Sequence, residues 1–182
     1  ALASLANSRH LVGSALLGLS FSFHPAVGLW AVAGGGLALL AGRPKIKKLL
    51  ISAAVGLIFC LPGIIPLIGD QMSGSAATPD DWRFIVTVHM PYHFDPFYFS
   101  GVGIAIIVAM FAFNIAVLRS VDGPLRFLRN FQIAIAAFFL LGVVLRYFEI
   151  FAPLRLMPLR LSPIVTPLFF LFAVFYFGNR ER

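Results

Sequence analysis

The sequence predicts an all-α fold: a polytopic transmembrane helix bundle of five to six spans, with a short interfacial helix in an outer loop. Three observations carry that prediction. Of 182 residues, 60% are hydrophobic and only 12% charged, with a mean hydropathy of +0.94, about half the charge of an ordinary soluble domain. Several apolar runs approach or exceed the roughly 17–20 residues that cross a bilayer as a helix. The basic residues fall mainly in short intervals between those runs, and no alternating pattern of a membrane barrel is present.

In chain order, Leu11–Phe23 is apolar but short, and is followed at once by His24-Pro25. It is either a full crossing whose start lies back near Leu5 or one half of a broken helix. Pro25 suits the first position of a new helix over Ala26–Ala41, where its missing N–H would be unpaired anyway. Gly34-Gly35-Gly36 reads as close helix contact, with local unwinding as the alternative. Arg43-Pro-Lys45-Ile-Lys47-Lys48 marks 43–48 as a cytoplasmic loop. Leu49–Ile68 then crosses outward, with Pro62 and Pro66 bending its outer half, and 70–100 forms the long outer segment.

Val102–Leu118 returns, with a small-residue face at Gly101, Ala105, Ala109 and Ala112 that permits close approach, and with Asn114 bonding to a neighbouring helix. The basic interval 119–129 is a second cytoplasmic loop, Phe131–Tyr147 crosses outward, 149–162 is a short outer loop, and Pro163–Phe177 crosses back. In this arrangement ten of the fourteen basic residues lie inside, the asymmetry expected of a membrane protein. The net charge of +7 therefore serves orientation, and nucleic acid is not an expected partner; membrane lipid is. Cys60 is the only cysteine, which excludes an internal disulfide. The chain has no initiator Met and opens on the approach to a helix, so it reads as one transmembrane domain, 1–182, from the C-terminal portion of a longer protein.

The chemistry collects on the outer side. His24, His89, His93, Asp95, Arg155 and Arg160 all fall there, beside a helix break. Thr78-Pro79-Asp80-Asp81 has the pattern of an N-cap, a first-turn proline and an acid three residues on. Trp82, Ile85, Val86 and His89 follow at helical spacing, which predicts an interfacial helix anchored by Trp82 and ended by Pro91. Three roles compete for His89, His93 and Asp95: metal ligation, which Pro91 disfavours by breaking the helix between the histidines; acid/base chemistry with Asp95 orienting His93; and plain bonding to loop carbonyls and headgroups. Arg155 and Arg160 flank Pro158 and suit bidentate binding of a lipid-linked phosphate or of ordinary headgroups. Arg146 and Glu149, three apart, are positioned to pair.

Three short stretches, Phe23–Leu29 (FHPAVGL), His89–His93 (HMPYH) and Leu156–Pro163 (LMPLRLSP), resemble the C-terminal half of an uncharacterised family of bacterial polytopic membrane proteins, itself similar to GT-C type glycosyltransferases. The resemblance implies an inner-membrane enzyme that takes a sugar from a polyprenyl-phosphate donor on the outer face, with a divalent metal as a possible cofactor. It implies donor-phosphate and acceptor contacts in this part of the chain and marks His89, Pro91 and His93 without assigning them a role; taken with the residue chemistry above, Arg155, Arg160 and His24 are the candidate substrate contacts and His89, His93 and Asp95 the catalytic candidates. The acid such enzymes carry in their first outer loop has no counterpart here, since Asp70 is the first carboxylate in the chain. Tyr92 departs from the family pattern, where His is common. A structural or assembly subunit is the alternative reading, and a transporter a weaker one, because Asn114 and a few Ser and Thr are the only polar groups expected in mid-membrane.

Overall fold

The computed structural model describes residues 1–73, 78–98, 101–119, 123–151, 153–154 and 161–178. Among them every regular element is helical. In order these are α1 (Leu2–Ala6), α2 (His10–Phe23), α3 (Pro25–Ala41), α4 (Ile46–Ser73), α5 (Pro79–Phe84) running into a π-helical turn (Ile85–His89), α6 (Pro91–Phe94), a 3₁₀ turn (Pro96–Tyr98), α7 (Gly101–Val117), α8 (Pro124–Tyr147) and α9 (Ser162–Gly178). Two stretches, Ile46–Pro66 and Leu125–Tyr147, are long and apolar enough to cross a membrane; α2, α3, α7 and most of α9 are apolar but shorter.

The six long helices alternate in direction. His24 reverses the chain between α2 and α3: Pro25 occupies the first turn, and the His24 ring accepts the Val27 N–H at 3.4 Å. α4 then runs beside α2 in the same direction. Here a side chain on Gly18 would collide with the Gly56 carbonyl, and one on Gly63 would meet Ser22 Cα at 2.7 Å. The Ser22 hydroxyl donates to the Phe59 carbonyl at 2.6 Å across the same contact. α8 crosses α3 in the opposite sense, with Trp30 4.9 Å from Phe138. α7 packs antiparallel on α8, joining Phe111 to Phe139 and Leu118 to Leu128, while α9 follows α7, with Phe113 against Phe169 and Tyr176. The core is formed by Phe111, Phe131, Ile135, Phe139, Leu161 and Val165.

This alternation gives the bundle two chemically different ends. One carries the starts of α2, α4 and α8 and most of the described basic residues. The other carries their C-termini, the His24 reversal and the segment 78–98.

Several expectations are met. The Pro25 start, the His24 break and the α7 and α9 limits agree within a residue or two. α3 continues through its three glycines: Gly34 faces Ile135 and Phe131 of α8, Gly35 faces Leu17 of α2, and Gly36 faces open space. Close contact therefore accounts for two of them, and the helix does not unwind.

Others need correction. α1 and α2 are separate helices, because Ser8 takes a left-handed φ of 60° and its neighbours close a turn, with Arg9 N–H on the Ser4 carbonyl; the crossing does not extend back to Leu5. α4 continues to Ser73, so Asp70 belongs to its last turns and not to a loop. α8 begins at Pro124, after Gly123 at φ 69°, which puts Arg126 and Arg129 on helix. The α7 face formed by Gly101, Ala105, Ala109 and Ala112 is exposed, and α7 instead turns Phe111 and Asn114 inward. Asn114 is fully buried, yet neither amide atom meets a hydrogen-bond partner among the described residues. Gln132, omitted from the expected polar set, is in the same condition.

Candidate functional site

Segment 78–98 is built from local signals. Thr78 Oγ1 accepts the Asp81 N–H at 3.3 Å, and Asp81 Oδ2 accepts from Thr78 N at 2.8 Å, so the expected reciprocal cap is formed. The Thr78 hydroxyl also donates to Asp81 Oδ2 at 2.7 Å, and this bond, with that from the Thr78 N–H, holds the Asp81 carboxyl below the usual carboxylate value. α5 buries nothing by itself. Attachment to the bundle begins with Val86, which is fully buried against Phe151 and Leu154, with Trp82, Ile85 and Met90 around it. Trp82 therefore anchors the segment to protein.

The π-helical turn changes the expected face. The Met90 N–H bonds the Ile85 carbonyl at 2.9 Å, five residues back, and the extra residue in the turn rotates the chain relative to an α-helix. His89 is exposed and stacks with Phe84, ring centroids 6.4 Å apart, instead of sharing the inner face of Trp82, Ile85 and Val86. The helical run, α up to Phe84 and π beyond it, ends at His89, as Pro91 implies, and Pro91 itself opens α6, whose backbone carries His93. The His93 side chain lies outside the described residues.

Asp95 is the centre of the segment. It is 7% exposed, and its Oδ1 accepts the Phe97 N–H at 2.9 Å, fixing the turn into Pro96–Tyr98. Its Oδ2 accepts from Arg146 Nη2 at 3.0 Å. The guanidinium is flanked by two rings, with Phe97 at 5.5 Å and Phe151 at 5.4 Å, and its buried Nε has no partner among the described residues. A charge pair walled by aromatic faces is poorly screened, so each member needs the other. Asp95 is thus engaged by Arg146, a partner the sequence did not announce, while its expected pairing with His93 falls on a side chain outside the described residues.

The expected Arg146–Glu149 pair is replaced too, for a backbone reason. α8 ends at Tyr147, and Glu149 takes φ 57°. Its N–H bonds the Arg146 carbonyl while the Ile150 N–H bonds the Leu145 carbonyl at 2.8 Å. This is the Schellman closure, with Glu149 in the position glycine usually fills, so the helical spacing that would pair it with Arg146 has already ended.

Of the site candidates, His24 is exposed at the same end of the bundle, and its ring caps α3. Arg155 and Arg160 lie outside the described residues; Leu154, the residue before Arg155, is buried against Val86. Among the described residues no group of three or more His, Cys, Asp and Glu is placed to hold a metal ion. The member that sequence reasoning missed is Arg146. The signal was available in outline, as an arginine at the end of an apolar helix whose near acid stands beyond that helix.

Comparison with protein-family models, with curated proteins and with solved structures returns no match. The site is therefore read from its own geometry.

Proposed function

We propose that this chain is a membrane-embedded helical domain that handles a polyprenyl-phosphate-linked sugar at one membrane face, as a GT-C-like glycosyltransferase or a non-catalytic relative of one. The embedding reading is supported by apolar surface that no protein covers: Leu50, Leu57, Ile58 and Ile65 on α4 and Phe170, Leu171 and Val174 on α9 are all exposed, and only 17% of the α4 window is buried. Water would not tolerate so continuous an apolar surface. In the proposed topology α2, α3, α4, α7, α8 and α9 are the six crossings. The shorter ones are accommodated by flanking residues and local thinning, since the 17 residues of α3 reach only about 26 Å. The end bearing 43–48 faces the cytoplasm, and segment 78–98 lies at the outer interface with Phe84, Tyr92, Phe97, Tyr98 and Tyr147 exposed, the aromatic belt of a membrane boundary.

The observation that carries the functional reading is the Asp95–Arg146 bridge. It seats the interfacial segment on the bundle beside Leu154, immediately before the arginines suited to a lipid-linked phosphate. In this reading Arg155 and Arg160 hold the phosphate, His24 stands at the helix break beside the donor, and His89 and His93 are the proton carriers. Asp95 fixes the segment instead of acting as base.

The test is undecaprenyl phosphate binding to the protein in nanodiscs. An Arg155→Ala/Arg160→Ala variant that still folds should bind at least tenfold more weakly, and unchanged binding overturns the reading. The structural-subunit alternative has one observation in its favour, the exposed small-residue face of α7, which suits a further helix. It predicts that polyprenyl phosphate does not bind at all.

A further inference from the structure

The opposite end of the bundle holds a cavity of about 340 Å³ whose wall includes Ser8, His10, Lys45, Lys48, Arg126 and Asn130. Three cations line it, and among the described residues no acid does. The N-terminal ends of α2, α4 and α8 surround it, and none of these helices has an acidic residue in its first turn. The N-cap positions of α2 and α8, Arg9 and Gly123, supply no side-chain cap either. Helix starts left in this way present positive dipole ends, which attract anions; α8 contributes no N–H from Pro124, its Arg126 N–H is taken by the Gly123 carbonyl, and the C-terminal end of α3 (Ala38, Leu39, Gly42) completes the wall. His10 adds a buried Nδ1 that meets no hydrogen-bond partner among the described residues. The sequence places one acid near this end of α8, Asp122, outside the described residues.

A second cavity, of about 260 Å³, lies between α2, α3 and α4 and shares Leu39 with the first. Its lining is apolar, with Val32, Gly36, Ala53 and Leu57 among its residues. A third, of about 240 Å³, is lined by Ser8, His10 and Lys48, which also line the basic cavity, and by Ser52, which also lines the apolar groove, so it lies next to both. A cationic cavity beside an apolar groove matches an amphiphile with a phosphate at one end and a hydrocarbon chain at the other.

We infer that this end of the bundle binds an anionic phospholipid, with its phosphate at Lys45, Lys48 and Arg126 and one acyl chain in the α2–α3–α4 groove. Charge complementarity selects the head, and the groove selects a lipid over free phosphate. The site stands apart from the polyprenyl-phosphate reading and does not rest on it.

The experiment uses the full chain in a neutral detergent and follows binding by native mass spectrometry, with dioleoyl phosphatidylglycerol, dioleoyl phosphatidylcholine and inorganic phosphate as probes. The wild-type protein should retain phosphatidylglycerol at least tenfold better than phosphatidylcholine. Lys48→Gln/Arg126→Gln should abolish that preference. Gly36→Leu should weaken phosphatidylglycerol binding by a similar factor, because Gly36 lines the groove and a Cβ there meets nothing within 4 Å, so the new side chain extends into the groove. Equal retention of the two lipids by the wild-type protein overturns the proposal, and this arm needs no variant to fold. Competition by inorganic phosphate at the same concentration as lipid, or full binding by Gly36→Leu, overturns the acyl-chain part and leaves a simple anion site.

Discussion

Arg146 and Asp95 stand 51 residues apart in sequence and 3.0 Å apart in space, and their bridge, with the Val86 cluster, joins segment 78–98 to the bundle. The two side chains are 17% and 9% exposed, so removing one partner leaves the other desolvated and alone. Arg146→Met or Asp95→Asn alone should cost about 1–3 kcal/mol in unfolding experiments in detergent. The double variant should recover part of the loss, because the two apolar or neutral replacements strand no charge. Strict additivity in this cycle would show that the pair is not coupled. Limited proteolysis between 78 and 98 should rise in both single variants, since this segment has few other buried contacts.

Acid should loosen the same segment from its other end. The bonds from Thr78 hold the Asp81 carboxyl below its usual value, which means the folded form prefers the ionised carboxylate. That contribution is fully present above the ordinary carboxylate range and is lost as pH falls through the lower, folded value. In a Trp30→Phe background, Trp82 fluorescence should shift toward an exposed environment as pH drops through that window. Asp81→Asn should remove the transition, and a transition that survives the substitution would place its origin elsewhere.

The parts of this fold that were legible in the sequence are those encoded locally. His24-Pro25 marks a helix start because proline lacks the N–H that a first turn leaves free, and Thr78 with Asp81 writes its own cap. The missed features each depend on something distant or on backbone geometry. The Asp95–Arg146 bridge needs the folding of α8 beneath the interfacial segment. The displacement of His89 needs a π-helical turn, which no spacing of Ile85, Val86, Thr87 and Val88 announces. α8 was expected to begin at Phe131 because Arg126 and Arg129 look like loop residues, whereas the exposed end of a helix accommodates arginines, and Arg129 there donates to the Arg119 carbonyl at 3.0 Å. On the candidate site, residue types and the end of the bundle were readable; which groups were free to act was not.

Glu149 offers a direct test of the backbone argument. Its φ of 57° is unfavourable for a residue with a Cβ and natural for glycine. Glu149→Gly should therefore raise stability by about 0.5–1 kcal/mol, while Glu149→Ala, which keeps the strain, should change it little. An ion pair with Arg146 would produce the opposite pattern, with both substitutions destabilising. Equilibrium unfolding of the two variants separates these outcomes.

Asn114 and Gln132 provide the last prediction, and it concerns the balance between stability and use. Both are fully buried, on α7 and α8, and their amide atoms meet no hydrogen-bond partner among the described residues. A buried amide without partners costs about 1–3 kcal/mol relative to an apolar group of similar shape. Asn114→Leu and Gln132→Leu should each raise the unfolding midpoint in detergent, provided the replacement leaves the core volume nearly unchanged. If the amides instead bond water or a ligand within the bundle, the substitutions will lower stability, and Asn114→Asp will be tolerated better than Asn114→Leu. Such a result would put polar chemistry between α7 and α8 and would strengthen the transporter reading that the apolar character of the other helices argues against.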